Sequence, residues 1–421
     1  MKEYFKYLEK YNYWSESDKI NAGFERTLYL DKIKTVINNR LIKVLIGQRR
    51  TGKSFVMLQI IKYLIDHNNV ERKNIFYFNK EQFEFDSIQN ATQLSDLFEY
   101  YKTKLEISGK IYIFLDEIQD VDDWEKLVAS WSQDKKNSYE LFITGSNSKM
   151  LSSELGTLLS GRYLPYDILP FSYREYIDCN KLEKGKASFL EYLKSGGLPE
   201  LFNIKDQIAK QHYLSALKDS IILNDIVKKY KIKDIHLLER VFFFVVNNPA
   251  TLFSFKKIVN YLISAGVKTN YETITNYITY LRNALLIHEC ERYDIKGKSI
   301  LTGERKFYLN DLSFKNYLSS KFDMGLSRNL ENIVYLHYKR EGYQVFVGKI
   351  YDLEIDFVLE KDGIKEYVQV AYLLSDESVI EREYRSLKRI NDNYKKTVLS
   401  MDEISFGDNE GIKHYPVWET L

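Results

Sequence analysis

Four residues in the stretch GQRRTGKS, positions 47 to 54, have the types and spacing needed to bind phosphate. They are Gly47, Gly52, Lys53 and Ser54, and they fill the pattern GxxxxGK[ST]. The glycines let the backbone curl so that successive N–H groups point inward at phosphate oxygens. We expect Lys53 to neutralise the β and γ phosphates of a nucleotide and the Ser54 hydroxyl to ligate Mg²⁺. The spacing predicts a phosphate-binding loop; the alternative is a glycine-containing turn that matches by chance.

The residues on either side of the loop predict the elements that hold it. LIKVLIG, residues 41–47, is a short apolar run ending in glycine, as a buried parallel strand does. SFVMLQIIKYLI, which begins at Ser54, predicts a helix whose positive dipole end faces the phosphates. A strand before and a helix after are the context that a phosphate loop requires.

A second apolar run, in IYIFLDEIQD at 111–120, ends in Asp116 and Glu117. A carboxylate after a neighbouring strand can reach the magnesium through water, so we assign Asp116 to the metal. Glu117 would then orient or deprotonate the attacking water. Acids in this position also cap helices or lie in solvated turns. A protein that only stored nucleotide would have no need for Glu117, so the pair favours hydrolysis over storage.

A third strand, LFITGS at 141–146, ends in small polar side chains. Thr144, Ser146 and Asn147 fall where a group sensing the γ phosphate would sit beside the magnesium strand. Strands also end in polar residues simply because loops need them, and that alternative stays open.

Three arginines are candidate partners for phosphate. Arg162 follows Gly161 and is a candidate cation for transition-state charge, either in its own site or in a neighbour's. An ordinary surface salt bridge explains Arg162 equally well. Arg49 and Arg50 lie inside the loop and have three candidate partners, namely phosphate, a subunit partner or nearby acids.

A further apolar strand, IFYFNKE at 75–81, lies between the loop helix and the magnesium strand. The order strand, helix, strand, helix, strand predicts an α/β fold with a doubly wound parallel sheet. In such sheets the ligand binds at the carboxyl ends of the strands.

These motifs, in this order, resemble the AAA-type P-loop ATPases of archaea and bacteria. The motifs are GQRRTGKS, LDEIQ, ITGSNSKML and LSGRYLPYDILPFSYREY, and the similarity continues through SGGLPE at 195–200, LNDIV at 223–227, KFYLND at 306–311, EN at 331–332 and EIDFV at 354–358. The resemblance implies ATP and Mg²⁺. It also implies a P-loop core followed by a helical region, a winged helix and a tail shaped like a restriction endonuclease, and it places Gly161 and Arg162 at the family's GR motif.

Motif and resemblance together predict both boundaries and site residues. We expect a P-loop ATPase domain at 1–175, a helical linker at 176–233, a winged helix at 234–320 and an endonuclease-like tail at 321–421. We predict that Lys53, Asp116, Glu117 and Arg162 act in catalysis, that Ser54 and Asp116 hold Mg²⁺, and that ATP contacts Gly47, Arg50, Thr51, Gly52, Lys53, Ser54, Phe55 and Ser146.

The predicted winged helix is a poor candidate for DNA binding through its recognition helix. Apolar spacing predicts a buried stripe of Tyr271, Ile274, Ile278 and Leu281, leaving Thr273, Asn276, Tyr277 and Tyr280 outward. That outward face carries no positive charge, whereas groove reading relies on Arg or Lys. Basic residues instead cluster in sequence around the predicted turn of the wing: Lys296, Lys298, Arg305 and Lys306.

The tail lacks two groups that a restriction-type nuclease needs. Alternation places Glu354 and Asp356 on one side of their strand, and a preceding helix contains Glu331. The next strand should supply an acid and a lysine two residues apart, but it carries Gln369, Val370 and Ala371. Lys349 or Lys388 could replace the lysine. We expect a tail without nuclease activity, used for docking or for binding nucleic acid.

Bulk composition excludes several classes of protein. The 421 residues carry 61 Lys and Arg against 59 Asp and Glu, a net charge of +2, so no global field favours nucleic acid or anionic lipid. Cys179 and Cys290 have neither metal-ligand nor disulfide spacing. The N-terminus lacks the core of a signal peptide, and runs such as VFFFVV are too short to span a bilayer, so we expect a cytoplasmic protein.

The leading hypothesis is a Mg²⁺-dependent ATPase whose nucleotide state repositions the winged helix and tail, as a regulatory or remodelling switch with a protein partner. The alternative is an ATP-fuelled enzyme that binds or cuts DNA or RNA. A homo-oligomer is compatible with both, since an arginine can be donated by a neighbouring subunit.

Overall fold

The computed structural model describes residues 1–134, 136–147, 159, 161–319 and 325–421. Their backbones form two compact units, residues 1–168 and 169–421. The division therefore falls before the predicted boundary at 175. The finer predicted boundaries at 233 and 320 stay predictions.

Within its described residues, the first unit contains a five-stranded sheet in which every pair of neighbouring strands is parallel. The spatial order is β2-β3-β4-β1-β5. The predicted doubly wound sheet is confirmed. The strands are Ile42–Ile46 (β1), Ile75–Asn79 (β2), Ile111–Asp116 (β3), Tyr139–Gly145 (β4) and Tyr163–Asp167 (β5). The α-helices are Lys2–Tyr11 (α1), Thr27–Lys34 (α2), Lys53–Asn68 (α3), Ala91–Lys104 (α4) and Trp124–Ser132 (α5), with 3₁₀ turns at Arg72–Asn74, Phe83–Phe85 and Ile118–Asp120.

Burial explains why β1 and α3 form where they do. All residues of β1 are buried, as expected for a central strand covered on both faces. Helix α3 buries residues at helical spacing, including Val56, Ile60 and Leu64. Gly52, with φ of +95°, begins the helix in a left-handed conformation that glycine adopts without strain. The first turn of α3, with its unpaired N–H groups, therefore directly follows the loop.

The N-terminal segment covers the outer edge of β2. The Asn12 side chain accepts the Tyr77 N–H at 2.7 Å and donates to the Tyr77 carbonyl at 2.9 Å. The Trp14 indole donates to the Ile75 carbonyl at 2.7 Å. These bonds satisfy backbone groups that an edge strand leaves open. They also hold Tyr77, whose hydroxyl reaches the site described below.

The second unit combines helices with an eight-stranded sheet, counted over its described residues. The order is β12-β13-β11-β10-β9-β8-β6-β7. The strands are Ile287–Asp294 (β6), Ser299–Leu309 (β7), Gln344–Ile350 (β8), Leu353–Lys361 (β9), Ile364–Val370 (β10), Lys395–Ser400 (β11), Asp408–Asn409 (β12) and Ile412–Pro416 (β13). The helices are Tyr173–Asn180 (α6), Lys186–Ser195 (α7), Gln207–Ser220 (α8), Ile235–Val246 (α9), Phe255–Ser264 (α10), Tyr271–Asn283 (α11), Ser313–Leu318 (α12), Leu326–Arg340 (α13), Glu377–Lys388 (α14) and Val417–Thr420 (α15), with a 3₁₀ turn at Pro199–Phe202.

The strands of the predicted winged helix and of the predicted tail belong to this one sheet. Strand β6 pairs with β7 as an antiparallel hairpin and with β8 in parallel. The three helices α9 to α11 precede the hairpin, and Phe253 forms an isolated antiparallel bridge with Arg305. This is the predicted order of elements. The shared sheet places residues of the hairpin beside residues of the tail.

Two details of the helices differ from the predictions. The predicted single helix over about 205–230 contains a π-helical segment, Ile221–Val227, before a last turn at Lys228–Tyr230. In α11, Tyr277 is buried and Tyr271 is 58% exposed, the reverse of the prediction. The Tyr277 hydroxyl donates to the Asp234 carbonyl at 3.2 Å, while Tyr271 is the first residue of its helix. None of the helices in the described part of the chain is long and apolar enough to cross a membrane.

Candidate active site

The loop after β1 is closed by contacts that only glycine permits. A Cβ on Gly47 would lie 2.3 Å from the Ile168 carbonyl oxygen and 2.7 Å from Thr51 Oγ1. The Thr51 hydroxyl donates to the Gln48 carbonyl at 3.0 Å. Arg50 has φ of +69°, a left-handed conformation in a residue other than glycine. This curled backbone, opening onto the start of α3, fits a phosphate group.

Lys53 lies between the loop and the acids after β3. Its ammonium is 3.0 Å from Glu117 Oε1 and 3.3 Å from the Gln48 carbonyl oxygen. The side chains of Lys53 and Glu117 are only 4% and 7% exposed. The structure therefore brings together the predicted phosphate-binding cation and the predicted water-activating acid.

Arg26 supports the loop from outside and was missed by sequence reasoning. The buried Arg26 guanidinium donates to the Thr51 carbonyl at 2.9 Å. Gln59, on α3, accepts the Arg26 N–H at 3.0 Å and donates to the carbonyls of Ala22 and Phe24. No local motif marks Arg26, since it precedes the loop by more than twenty residues. The segment before β1 is thus fastened to the loop and to its helix.

Phe55, predicted to contact nucleotide, is half exposed on the first turn of α3. Its side chain is next to Gly23, where an added Cβ would lie 2.9 Å from Phe55 Cδ1. Phe55 is 46% exposed, so much of its surface remains open to solvent. Its contact with nucleotide stays a prediction.

Asp116 is fully buried and held by several hydroxyl groups. Tyr77 donates to Oδ2 at 2.9 Å, Thr144 donates to Oδ1 at 2.5 Å, and the Ser54 hydroxyl also hydrogen-bonds the carboxyl. Burial, and then the charge of Glu117, raises the pKa of Asp116, while the hydroxyl donors oppose this shift. Ser54 and Asp116 together present hydroxyl and carboxylate oxygens, which are ligands that suit Mg²⁺. The predicted metal residues are therefore adjacent.

Glu117 is held at its backbone and at both carboxylate oxygens. Its φ is +51°, and its N–H donates to Thr144 Oγ1 at 2.9 Å. Oε1 contacts Lys53, and Oε2 accepts from Gln119 Nε2 at 2.7 Å. Burial favours a higher pKa for Glu117, but Lys53, Gln119 and Arg49 outweigh it and hold the pKa below its usual range. Glu117 is therefore an oriented anion. Thr144 hydrogen-bonds both Asp116 and the backbone of Glu117. These two hydrogen bonds were not predicted.

The structure describes only some of the polar residues that follow the carboxyl end of β4. Ser146 and Asn147 are buried just beyond the end of β4. Residues 148–151 of the motif ITGSNSKML lie outside the described part of the chain. The assignment of Ser146 to nucleotide stays a prediction. Arg49 pairs with Glu81, which follows β2, so it lies at the same edge of the sheet.

Arg162 is not part of this cluster. Its carbonyl accepts the Ile42 N–H at 3.0 Å, and β5 begins at the next residue, opposite Ile42 at the start of β1. The phosphate loop follows the other end of β1, five residues away at roughly 3.3 Å per residue, or about 16 Å. The structure therefore does not bring Arg162 together with the other predicted site residues, and its role stays a prediction. Parallel pairing of β1 and β5 puts it at the opposite edge of the sheet.

A second buried cluster of charges lies in the second unit, around Lys306. The Lys306 ammonium is 2.8 Å from Glu331, 2.8 Å from Glu354 and 3.5 Å from Asp356. The Tyr308 hydroxyl also donates to Glu331, at 2.6 Å. These acids lie on α13 and β9, whereas Lys306 lies on β7 of the hairpin. The lysine beside the tail's acids therefore comes from the hairpin.

This cluster corrects two predictions. Lys306 does not belong to a basic surface at the turn of the wing, because its side chain is only 4% exposed. Arg305 is paired with Glu289, which also pairs with Arg282. Lys349 and Lys388 were two candidates to replace the tail's missing lysine, yet Lys388 pairs with Glu410 at the surface, and it is Lys306 that contacts the acids. The pairings of β7 with β6, of β6 with β8 and of β8 with β9 bring residue 306 to the acids of β9.

Asp356 is the most constrained acid of the Lys306 cluster. Its Oδ2 accepts the Val370 N–H at 2.9 Å, and its own N–H donates to Gln369 Oε1 at 3.3 Å. Burial, and then the charge of Glu331, raises the pKa of Asp356 to about 8, although Lys306 opposes the shift. Among the described residues, no group of three or more His, Cys, Asp or Glu side chains is placed to hold a metal ion.

The sheet order of the first unit, the glycine loop after β1 and the acids after β3 define a P-loop NTPase fold. Residues 39–177 match the AAA domain family, and residues 186–325 match a domain of unknown function. An uncharacterized protein of Haemophilus influenzae is 35% identical over 384 residues, 90% of this chain and 94% of that protein. The uncharacterized protein MJ1544 of Methanocaldococcus jannaschii is 32% identical over 92% of this chain and 86% of that protein. The chain belongs to the same family as these two proteins.

The likeness to solved structures is distant. Cdc6p from Pyrobaculum aerophilum aligns at 13% identity with a TM-score of 0.30, over 77% of this chain and 97% of that chain. A score this low supports no conclusion about mechanism.

Proposed function

We propose that this protein is a Mg²⁺-dependent ATPase in which Lys53, Ser54, Asp116 and Glu117 carry out hydrolysis. The observation that carries the proposal is the convergence of the Lys53 ammonium and the Glu117 carboxylate at the mouth of a glycine loop. A loop that only bound phosphate would have no use for an oriented acid beside its lysine.

Each residue has a role that its contacts support. Lys53 moves from Glu117 to the β and γ phosphates of ATP, and Glu117 then accepts a proton from water. Ser54 and Asp116, already hydrogen-bonded to each other, hold Mg²⁺. When bound, the metal supplies positive charge that neutralises the phosphates. Tyr77 and Thr144 keep Asp116 in place.

Arg162 acts on a neighbouring subunit in this proposal. Its place at the amino-terminal edge of the sheet puts it out of reach of its own loop, but at a surface that a second copy can approach. Mixing Lys53→Ala with Arg162→Ala tests this. Each variant alone is expected to be inactive, and the mixture is expected to regain turnover because the Lys53→Ala chain supplies an intact arginine. Absence of recovery would argue against donation between subunits.

The proposed biological role is a switch in which nucleotide state repositions the second unit toward a protein partner. Lys306 is buried and Arg305 is paired with Glu289, so fewer basic side chains are exposed and unpaired near the turn of the hairpin than the sequence suggests. Lys296 and Lys298 remain exposed there, and Lys296 lies over the Tyr351 ring. Phosphate contacts dominate nucleic-acid affinity, so this reduced surface favours the protein partner over DNA or RNA.

The deciding experiment measures ATP turnover with and without Mg²⁺, and with single-stranded DNA, duplex DNA or RNA at two salt concentrations. The variants are Lys53→Ala and, as a matched control on the same helix, the exposed Lys62→Ala. We expect turnover that needs Mg²⁺, is lost in Lys53→Ala and persists in Lys62→Ala, with no stimulation by nucleic acid. Equal turnover by both variants would reject the ATPase. Salt-sensitive stimulation by nucleic acid would instead support the alternative function.

A further inference from the structure

Gln119 makes a contact with Glu117 that the proposed roles do not use. It lies in the 3₁₀ turn Ile118–Asp120, directly after the acid. Its Nε2 donates to Glu117 Oε2 at 2.7 Å. The orientation of the amide is determined by its partner, because a carboxylate accepts hydrogen bonds and repels the amide oxygen. The amide oxygen, Oε1, must therefore face away from Glu117 Oε2.

That amide oxygen is an unused acceptor. Gln119 Oε1 is shielded from solvent, and it has no hydrogen-bond partner among the described residues. Buried polar atoms in native proteins nearly always have a partner, and the exceptions concentrate at functional sites. An unpaired acceptor beside the water-activating acid is placed to bind a donor that arrives with the substrate.

The two oxygens of Glu117 are held by partners of different kinds. Lys53 holds Oε1 with a charge, whereas Gln119 holds Oε2 with a neutral amide. When Lys53 turns to the phosphates of ATP, Oε1 loses its partner and Gln119 remains. A carboxylate that loses a nearby cation becomes a stronger base. Gln119 does not compete for the proton, so it can hold the carboxylate while Oε1 accepts one.

We propose that Gln119 is the residue that positions Glu117 during turnover, and that its free Oε1 accepts a hydrogen bond from the attacking water. The inference rests on the proposed hydrolysis of ATP. The water oxygen forms a bond to the γ phosphorus while the bond from that phosphorus to the β–γ bridging oxygen breaks. One proton of the water passes to Glu117 Oε1, and the other is held by Gln119 Oε1. The products are ADP and phosphate.

The test compares Gln119→Leu and Gln119→Glu with Gln133→Leu, a change of an exposed glutamine in the same unit. The measurements are affinity for a nonhydrolysable ATP analogue, kcat and the thermal denaturation midpoint. For Gln119→Leu we expect affinity within about threefold of wild type and kcat lower by at least about tenfold, a smaller loss than the roughly 10²- to 10⁴-fold of a general base removed outright, because Glu117 itself remains. Gln133→Leu should match wild type in all three.

The split between kcat and the other two measurements distinguishes positioning from a merely structural role. A structural role would lower the denaturation midpoint and the analogue affinity together with kcat, whereas loss of positioning lowers kcat alone. Gln119→Glu replaces the N–H donor with a second carboxylate beside Glu117 Oε2 and should lower kcat at least as much. An active wild type with an unchanged kcat in Gln119→Leu, or a fall of all three measurements together, overturns the inference and leaves the ATPase standing. A wild type that binds the analogue without turnover overturns both.

Discussion

The Lys53 ammonium and Glu117 Oε1 lie 3.0 Å apart, in a pair almost completely shielded from solvent. In this arrangement the proposed phosphate-binding cation and the proposed water-activating acid neutralise each other. In the proposed mechanism, phosphate displaces Glu117 before it binds Lys53. This exchange would couple nucleotide binding to release of the acid, because the same event that fills the loop frees Oε1 of Glu117.

The first prediction is that Glu117→Gln tightens ATP binding while it removes turnover. The neutral amide competes less strongly than a carboxylate for Lys53, so less of the binding free energy is spent on breaking the pair. We expect affinity to rise by about tenfold, equivalent to ~1.4 kcal/mol. Titration with a nonhydrolysable analogue measures it. The exposed Glu25→Gln serves as control, and weaker binding by Glu117→Gln would contradict the competition.

The second prediction concerns Thr144, which donates to Asp116 and accepts from the Glu117 N–H. Thr144→Val keeps the shape of the side chain and leaves a buried donor and a buried acceptor without this partner. Each unsatisfied group costs roughly 1–3 kcal/mol. We therefore expect a lower denaturation midpoint together with reduced turnover, measured by thermal unfolding and by phosphate release.

Thr397 provides the matched control for Thr144. It is also buried, but its hydroxyl has no hydrogen-bond partner among the described residues. Thr397→Val should be neutral or stabilising, since it removes an unpaired polar group. Equal losses in both variants would mean that the hydrogen bonds of Thr144 contribute nothing specific.

The third prediction is that Lys306→Met destabilises the second unit. The change leaves Glu331, Glu354 and Asp356 without their shared cation, and Glu331 and Asp356 are almost fully buried. Removing one partner from a buried pair typically costs about 3–5 kcal/mol. Denaturant titration followed by hydrogen exchange in β7 and β9 measures the loss.

Two further variants test the cause of that loss. Adding Glu331→Gln to Lys306→Met removes one of the uncompensated charges and should recover part of the stability. Lys298→Met, at an exposed position of the same hairpin, should change stability by less than about 0.5 kcal/mol. A double variant less stable than Lys306→Met alone would show that charge compensation is not the reason.

The fourth prediction is a loss of stability as pH rises toward about 8, caused by Asp356, whose pKa is raised by burial to about 8. An unfolded aspartate titrates near 3.9, roughly four units lower. Between these values the folded unit binds a proton that the unfolded chain does not, so stability falls as pH rises. The contribution is complete below the unfolded pKa and is lost as pH rises through about 8.

Protection of the Val370 amide reports this loss locally, because that N–H donates to Asp356. Hydrogen exchange, corrected for intrinsic rates, is compared at pH 6 and pH 9 in wild type and Asp356→Asn. We expect protection to fall more in wild type than in the variant, which cannot titrate at this position. The same fall in both would assign the pH dependence to another group.

Much of the candidate site could be proposed from sequence because its residues are local in the chain. Gly47, Gly52, Lys53 and Ser54 lie within one short loop, and its curvature depends on the glycines themselves. An apolar run ending in acids predicted a strand with Asp116 at its carboxyl end, and alternating strand and helix patterns predicted the parallel sheet. Such signals lie in residues that are neighbours in sequence, so they can be recognised without knowledge of the fold.

Tertiary structure decided the contacts that depend on pairing between segments distant in sequence. The parallel register of β1 and β5 puts Arg162 at the edge of the sheet opposite the loop, and the pairing of β6 with β8 puts Lys306 in a buried acid cluster and not on a basic surface. Arg26 and Tyr77 reach the site through contacts 25 and 39 residues apart in sequence. No local pattern encodes these contacts, because strand order and register, set by the packing of the whole core, determine which side chains meet.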